Sequence, residues 1–141
     1  MNAYAKSADA YLNQRILGAS PEQQAALIME AGQLHLGQAI QALNRNDFSA
    51  ATRSYVLVAK VIQEAKLGLN LVNGGECAHT LSKLYDWWTR EIMAASRTKD
   101  TNRLAAVALG MGEIRQAWEQ FHRKKLGTTG VSAFQFGDRV G

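Results

Sequence analysis

The chain has 141 residues, 47% of them hydrophobic and 20% charged, with a formal net charge of +4 and a pI near 9.4. That is enough chain to bury a single core, and the balance is that of an ordinary globular domain, which argues against intrinsic disorder. The single cysteine, Cys77, excludes an internal disulfide and a thiolate-rich metal site, and the scatter of basic residues argues against nucleic acid as a partner.

The N-terminal stretch MNAYAKSADAYLNQR carries charges and amides where a secretory signal needs an unbroken apolar run. No apolar stretch approaches the roughly 20 residues that cross a bilayer, so the expectation is a cytoplasmic protein with no membrane insertion. A short helical piece is predicted over about Tyr4 to Leu12. Ser20-Pro21-Glu22 then marks a helix start, with Ser20 as N-cap, Pro21 in the first turn and Glu22 at the positive end of the dipole. This helix is predicted to reach about Asn44, with an apolar stripe of Ala25, Ile28, Met29, Leu36, Ile40 and Leu43.

Asn46 or Asp47 caps a second helix to about Leu71, with the stripe Phe48, Ala51, Tyr55, Val58, Ile62, Ala65 and Leu69. Asn73-Gly74-Gly75 breaks it. The third helix runs from about Glu76 to Arg97, with Leu81, Leu84, Tyr85, Trp88 and Ile92 on one face. Asp100 caps a fourth, to about Lys125, with Leu104, Val107, Met111, Ile114, Trp118 and Phe121 in line. Its last turn carries His122-Arg123-Lys124-Lys125, where cations suit the negative end of the dipole. Gly110 and Gly112 fall inside this helical pattern. Short loops between long helices make neighbours antiparallel, so the predicted fold is all-α: an antiparallel up-down four-helix bundle over residues 17–126. A short N-terminal segment (1–16) precedes it and a tail without helical period (127–141), expected to be flexible, follows.

Side chains outside the stripes raise the question of function. Neighbouring residues on a helix point about 100° apart, so one core cannot take both Trp87 and Trp88. Trp88 belongs to the stripe, and Trp87 lies off it beside Thr80, Glu91 and Ala94. Leu57, Val61 and Leu71 lie beyond an edge of the second helix's stripe, and Leu27 and Leu34 lie on the far side of the first. Together they are more apolar surface than a four-helix core consumes, which points to a protein partner.

Glu76-x-x-His79 and Glu119-x-x-His122, with Glu30 and Glu64, have the composition of a di-iron carboxylate site. Such ligands project inward, whereas these residues lie off or opposite their stripes, so a metal site and catalysis are disfavoured. No phosphate loop or nucleophile elbow is present, no cofactor is implied, and the chain reads as a non-enzyme.

The segments YLNQRILGASP, IQALNRNDF, VIQEAKLGLN, GGECAHTLSKLYDWW and KDTNRLAAVALGMGEIRQAWEQF together resemble the flagellin-specific export chaperones of bacteria, the FliS family. The likeness runs from about Tyr11 to Phe121. At Trp87-Trp88 the family more often carries Tyr and Met. The resemblance implies a cytosolic export chaperone that binds the C-terminal segment of flagellin as helices in apolar grooves and blocks premature polymerisation. It also implies engagement of the flagellar export gate and, in some bacteria, of an anti-sigma factor. The segment around Tyr11 and Ile16 resembles the family's movable piece, which covers a groove when no client is bound. The partner-binding candidates are therefore Tyr11, Ile16, Leu57, Val61, Leu71 and Trp87. The alternative is a helical bundle that pairs with another protein or with itself, and a homodimer of the unliganded chain stays open.

Overall fold

The computed structural model describes residues 18–70 and 74–130, with side chains as far as Leu126. They form four helices: α1 (Pro21–Asn44), α2 (Phe48–Leu67), α3 (Gly75–Thr98) and α4 (Thr101–Gly130). The start of α1 is a full capping box. Ser20 Oγ accepts from the Gln23 N–H at 3.1 Å, and Gln23 Oε1 accepts from the Ser20 N–H at 2.9 Å. Of the two candidate caps for α2, Asp47 is the one used, accepting from the Ala50 N–H at 3.1 Å. Asn46 instead takes the left-handed conformation (φ 61°) that turns the chain. Asp100 caps α4 through the N–H groups of Asn102 and Arg103 at 3.0 and 3.2 Å, just after Lys99 ends α3 in a left-handed conformation.

Two helix ends differ from expectation. α2 stops at Leu67, with the Gly68 N–H returning to the Glu64 carbonyl, rather than reaching Leu71. Glycine is the poorest helix former after proline, so the break comes before the Asn-Gly-Gly run. α4 continues past Lys125 to Gly130, because an established helix adds a hydrogen bond for each residue it recruits. The expected boundary at residue 127 thus falls inside a helix.

The helices form the expected antiparallel bundle. α1 packs extensively along both α2 and α4, while α3 closes the square against α2 and α4 over smaller contacts. Lys125 meets Glu22 at 2.7 Å, and the Gln33 amide donates to the Ala108 carbonyl at 3.0 Å, so α1 and α4 run in opposite directions. Lys66–Asp86 at 2.6 Å and Glu91–Arg103 at 3.8 Å set the same relation for α2–α3 and α3–α4.

The interior holds Met29, Leu36, Val58, Ile62, Tyr85, Trp88, Leu104, Val107 and Met111, all of which the stripes anticipated. Trp88 is 1% exposed and stacks on Tyr85 with ring centroids 5.3 Å apart. The face of α1 is different in character from its stripe. Ala26, Gly32, Ala39 and Ala42 are buried between its large residues, and small side chains let α1 approach its neighbours closely. A β-carbon at Gly32 would lie 2.6 Å from the Met111 sulfur and 3.4 Å from Val61 Cγ1. Phe48 and Phe121, expected in their stripes, are half exposed; Phe48 is the first residue of α2, where the bundle covers little of it.

Candidate functional site

The partner-binding candidates fall in three places. Tyr11, Ile16 and Leu71 lie outside the described residues. Leu57 is 40% exposed, and Val61 is half-buried near Gly32, so both belong to the edge of α2 nearest α1. Trp87 is 45% exposed on α3. Its neighbours on that face, Trp88 and Glu91, meet Gly110 and Arg103, so Trp87 lies on the α4 flank of α3. The three described candidates therefore do not meet in one surface. Leu34 and Leu67 are also exposed.

Several depressions mark the described part of the bundle. One, about 710 Å³, lies between the start of α1 and the end of α4, and its walls are polar, with Glu30, Arg115, Glu119 and His122 among them. Arg115 pairs with Glu119 at 3.3 Å, and His122 Nδ1 shares a hydrogen bond with the Ser20 hydroxyl at 2.9 Å. Four of the six residues weighed as metal ligands are thus spread over different jobs: Glu119 and His122 are engaged as above, and Glu76 and His79 are exposed at the start of α3. Among the described residues no three His, Cys, Asp or Glu side chains gather closely enough to hold a metal ion.

A second cavity, about 360 Å³, opens at the end of the bundle where α1 and α3 start and α2 ends, between Met29, Ala65, Leu69, Leu81, Tyr85 and Trp118. Burial raises the Tyr85 phenol above its ordinary value, and a hydrogen bond with Trp118 partly offsets that.

The third, about 350 Å³, is a groove between α2 and α3 whose lining residues carry no charge. Ile62 and Ile92 form its floor, and Val56 and Met93, 51% and 55% exposed, form its walls. Four hydroxyls also line it. Thr52 donates to the Phe48 carbonyl at 2.9 Å, Thr89 to that of Tyr85 at 3.1 Å and Ser96 to that of Met93 at 2.7 Å. Each is spent on its own helix. The fourth, Tyr55, has a buried hydroxyl with no protein partner among the described residues, and desolvation raises its pKa. The groove is bounded at one end by the Lys66–Asp86 pair and at the other by Lys99, whose ammonium sits 4.3 Å from the centre of the Phe48 ring.

Sequence reasoning placed Tyr55 and Ile92 in the core and passed over Val56 and Met93. The available signal was that both are apolar and off their stripes, the same signal that singled out Leu57 and Trp87. No described helix is long and apolar enough to cross a membrane.

The family model described as flagellar protein FliS matches residues 3–125. The flagellar secretion chaperone FliS of Salmonella typhimurium is 28% identical over 110 residues, 77% of this chain and 82% of that protein. The flagellar secretion chaperone FliSB of Pseudomonas aeruginosa is 26% identical, covering 74% of this chain and 83% of that protein. The FliS chaperone of Bacillus subtilis is 24% identical over 111 residues, 79% of this chain and 82% of its own length.

Proposed function

The chain belongs to the FliS family of flagellar proteins, and on that premise we infer that this flagellar export chaperone takes the C-terminal segment of flagellin as its client. Members of this family are chaperones rather than enzymes. The observation that carries the reading is an apolar groove between α2 and α3 beside a core that is already complete. Apolar walls left partly exposed among the described residues are what helix-in-groove recognition requires. The exposed Leu57 and Trp87, and the half-buried Val61, are on other flanks of the bundle. Separate flanks suit a client that wraps around its chaperone, with each of these residues as an anchor. Tyr11, Ile16 and Leu71 remain candidates for the same contact. A captured flagellin tail is withheld from other flagellin molecules, which prevents polymerisation in the cytosol and leaves the client ready for the export gate. An anti-sigma factor is a further partner that the family resemblance suggests.

Calorimetry and circular dichroism test this with a synthetic peptide of the last few tens of residues of flagellin from the same bacterium. The expected result is a 1:1 complex, helicity gained on mixing and a negative heat-capacity change. Absence of binding, or a bound peptide that stays unstructured, overturns the reading.

A further inference from the structure

The basic residues are scattered along the sequence, but the fold gathers four of them on one face. On α2 they are Arg53 and Lys60, with Val56 between them; on α3 they are Arg90 and Arg97, with Met93 between them. The spacing is the same on both helices: a cation, an apolar residue three positions on, and a second cation four beyond that. Residues so spaced share one side of a helix. All six side chains are exposed. The helices run antiparallel in the register that pairs Lys66 with Asp86, which brings Arg53 about level with Arg97 and Lys60 about level with Arg90. Val56 and Met93 stand between these levels, as facing walls of one groove. The result is a patch of two apolar side chains inside four cations, with the two charged levels about 10 Å apart along the helices.

Carboxylates do not neutralise this patch. α2 carries no acid between Asp47 and Glu64. On α3, Asp86 is taken by Lys66, and Glu91 turns to the other flank, toward Arg103 of α4. None of the four cations pairs with a carboxylate among the described residues. Their shared positive potential attracts an anionic partner. The direction of the charges narrows its kind. At about 100° per residue, the cations lie about 40–60° further from the neighbouring helix than Val56 and Met93 do. They point out of the bundle rather than across the groove. A narrow ligand in the groove misses them, whereas a broad flat surface meets all four at once. Nucleic acid would use the charges but leave Val56 and Met93 against phosphates. A bilayer with anionic headgroups uses both kinds of side chain. We propose that this face of α2 and α3 docks peripherally on an anionic lipid surface, with Arg53, Lys60, Arg90 and Arg97 on the headgroups and Val56 and Met93 pressed between them. Such docking does not depend on the flagellin client. A bilayer on this face would shut the groove between Val56 and Met93, so lipid and a groove occupant exclude each other.

The test is co-sedimentation of the full chain, without flagellin, with vesicles of phosphatidylcholine alone or mixed with phosphatidylglycerol at about three to one. Binding is expected to the mixed vesicles only, and it should fall as salt rises. Arg53→Gln and Arg97→Gln should each weaken it about fivefold, and together about twentyfold or more. Val56→Ser combined with Met93→Ser should weaken it about three- to tenfold. Arg123→Gln, which removes an exposed cation from α4, should change it less than about twofold. Every substituted position is exposed, so thermal melts should show all these variants folded. No binding to the mixed vesicles, equal binding to phosphatidylcholine alone, or a loss as large with Arg123→Gln overturns the proposal. So does binding of duplex DNA or polyglutamate that is as tight at the same salt and equally weakened by Arg53→Gln, which would make the face a site for any polyanion.

Discussion

Gly110 of α4 lies against the indole of Trp88 of α3. A β-carbon at position 110 would stand 3.2 Å from the ring's Cζ2 and Nε1 atoms. Such a separation is tighter than ordinary van der Waals contact, so one side must yield. Trp88 is buried and stacked on Tyr85, and has little room to do so.

Gly110→Ala sets two effects against each other. Alanine gains about 0.8–1 kcal/mol of helix propensity, and the clash costs about 1–3 kcal/mol. With the ring held, the clash wins, and urea denaturation should show a net loss of about 1 kcal/mol. Replacing Trp88 by Phe in the same chain should remove the penalty, giving a coupling of at least about 0.5 kcal/mol in a double-mutant cycle. A stabilised Gly110→Ala protein would mean that the indole moves freely.

The adjacent tryptophans should separate folding from binding. Trp88→Ala leaves a cavity in the core and should cost about 3–5 kcal/mol. Trp87→Ala, on the half-exposed flank, should cost no more than about 1 kcal/mol while weakening binding of the flagellin peptide by tenfold or more. Thermal melts and titrations on the same two proteins decide it. Unchanged binding by the Trp87 variant makes that indole an ordinary surface aromatic.

Glu22 ties the start of α1 to the end of α4 and makes that tie sensitive to acid. Its side chain is largely buried, and the hydrogen bond from Lys125 holds its carboxyl below the usual value of 4.5, against the opposing effect of burial. A folded-state pKa below the unfolded one stabilises the protein above the unfolded value. That contribution fades as pH falls through the folded value. Glu22→Gln should therefore be less stable than wild type at about pH 7, and the gap should shrink by about pH 3. A gap that does not change with pH would show that the charge contributes nothing.

Asp100 accepts two N–H bonds at the start of α4, and Asp100→Ala should cost about 1 kcal/mol in chemical denaturation, as N-caps usually do. Asp100→Asn or Asp100→Ser should recover most of it. Recovery by neither would place the role of Asp100 in its contact with Arg103, 3.9 Å away, instead.

The caps at Ser20, Asp47 and Asp100 and the inward position of Trp88 were legible in the sequence because each follows from a local rule of spacing or side-chain chemistry. The small-residue face of α1 was not. Alanine carries only a weak hydrophobic signal and glycine none, so Ala26, Gly32, Ala39 and Ala42 are passed over beside the large residues of the stripe, although they let the neighbouring helices close in. Phe48 and Phe121 failed in the opposite way. Periodicity assigns them to a core, but cannot show how much of each ring the neighbouring helices cover. At the groove, the sequence supplied Tyr55 as a core aromatic. That its hydroxyl has no partner among the described residues while Thr52, Thr89 and Ser96 are satisfied depends on the packing of two helices, which no single-helix pattern contains.

The contrast between small residues on α1 and large aromatics on α3 gives the bundle unequal stiffness. Alanines and glycine seat α1 close to both neighbours, whereas α3 meets the rest through the broad rings of Tyr85 and Trp88 and smaller contacts. Amide protons of α1 should escape to solvent only when the whole molecule opens, and those of α3 through cheaper, partial openings. Mechanically, α4, α1 and α2 make a frame, and α3 is a stave resting on an indole wedge at Gly110. A stave on such a fulcrum can rock. Its swing would widen the gap to α2 at one end.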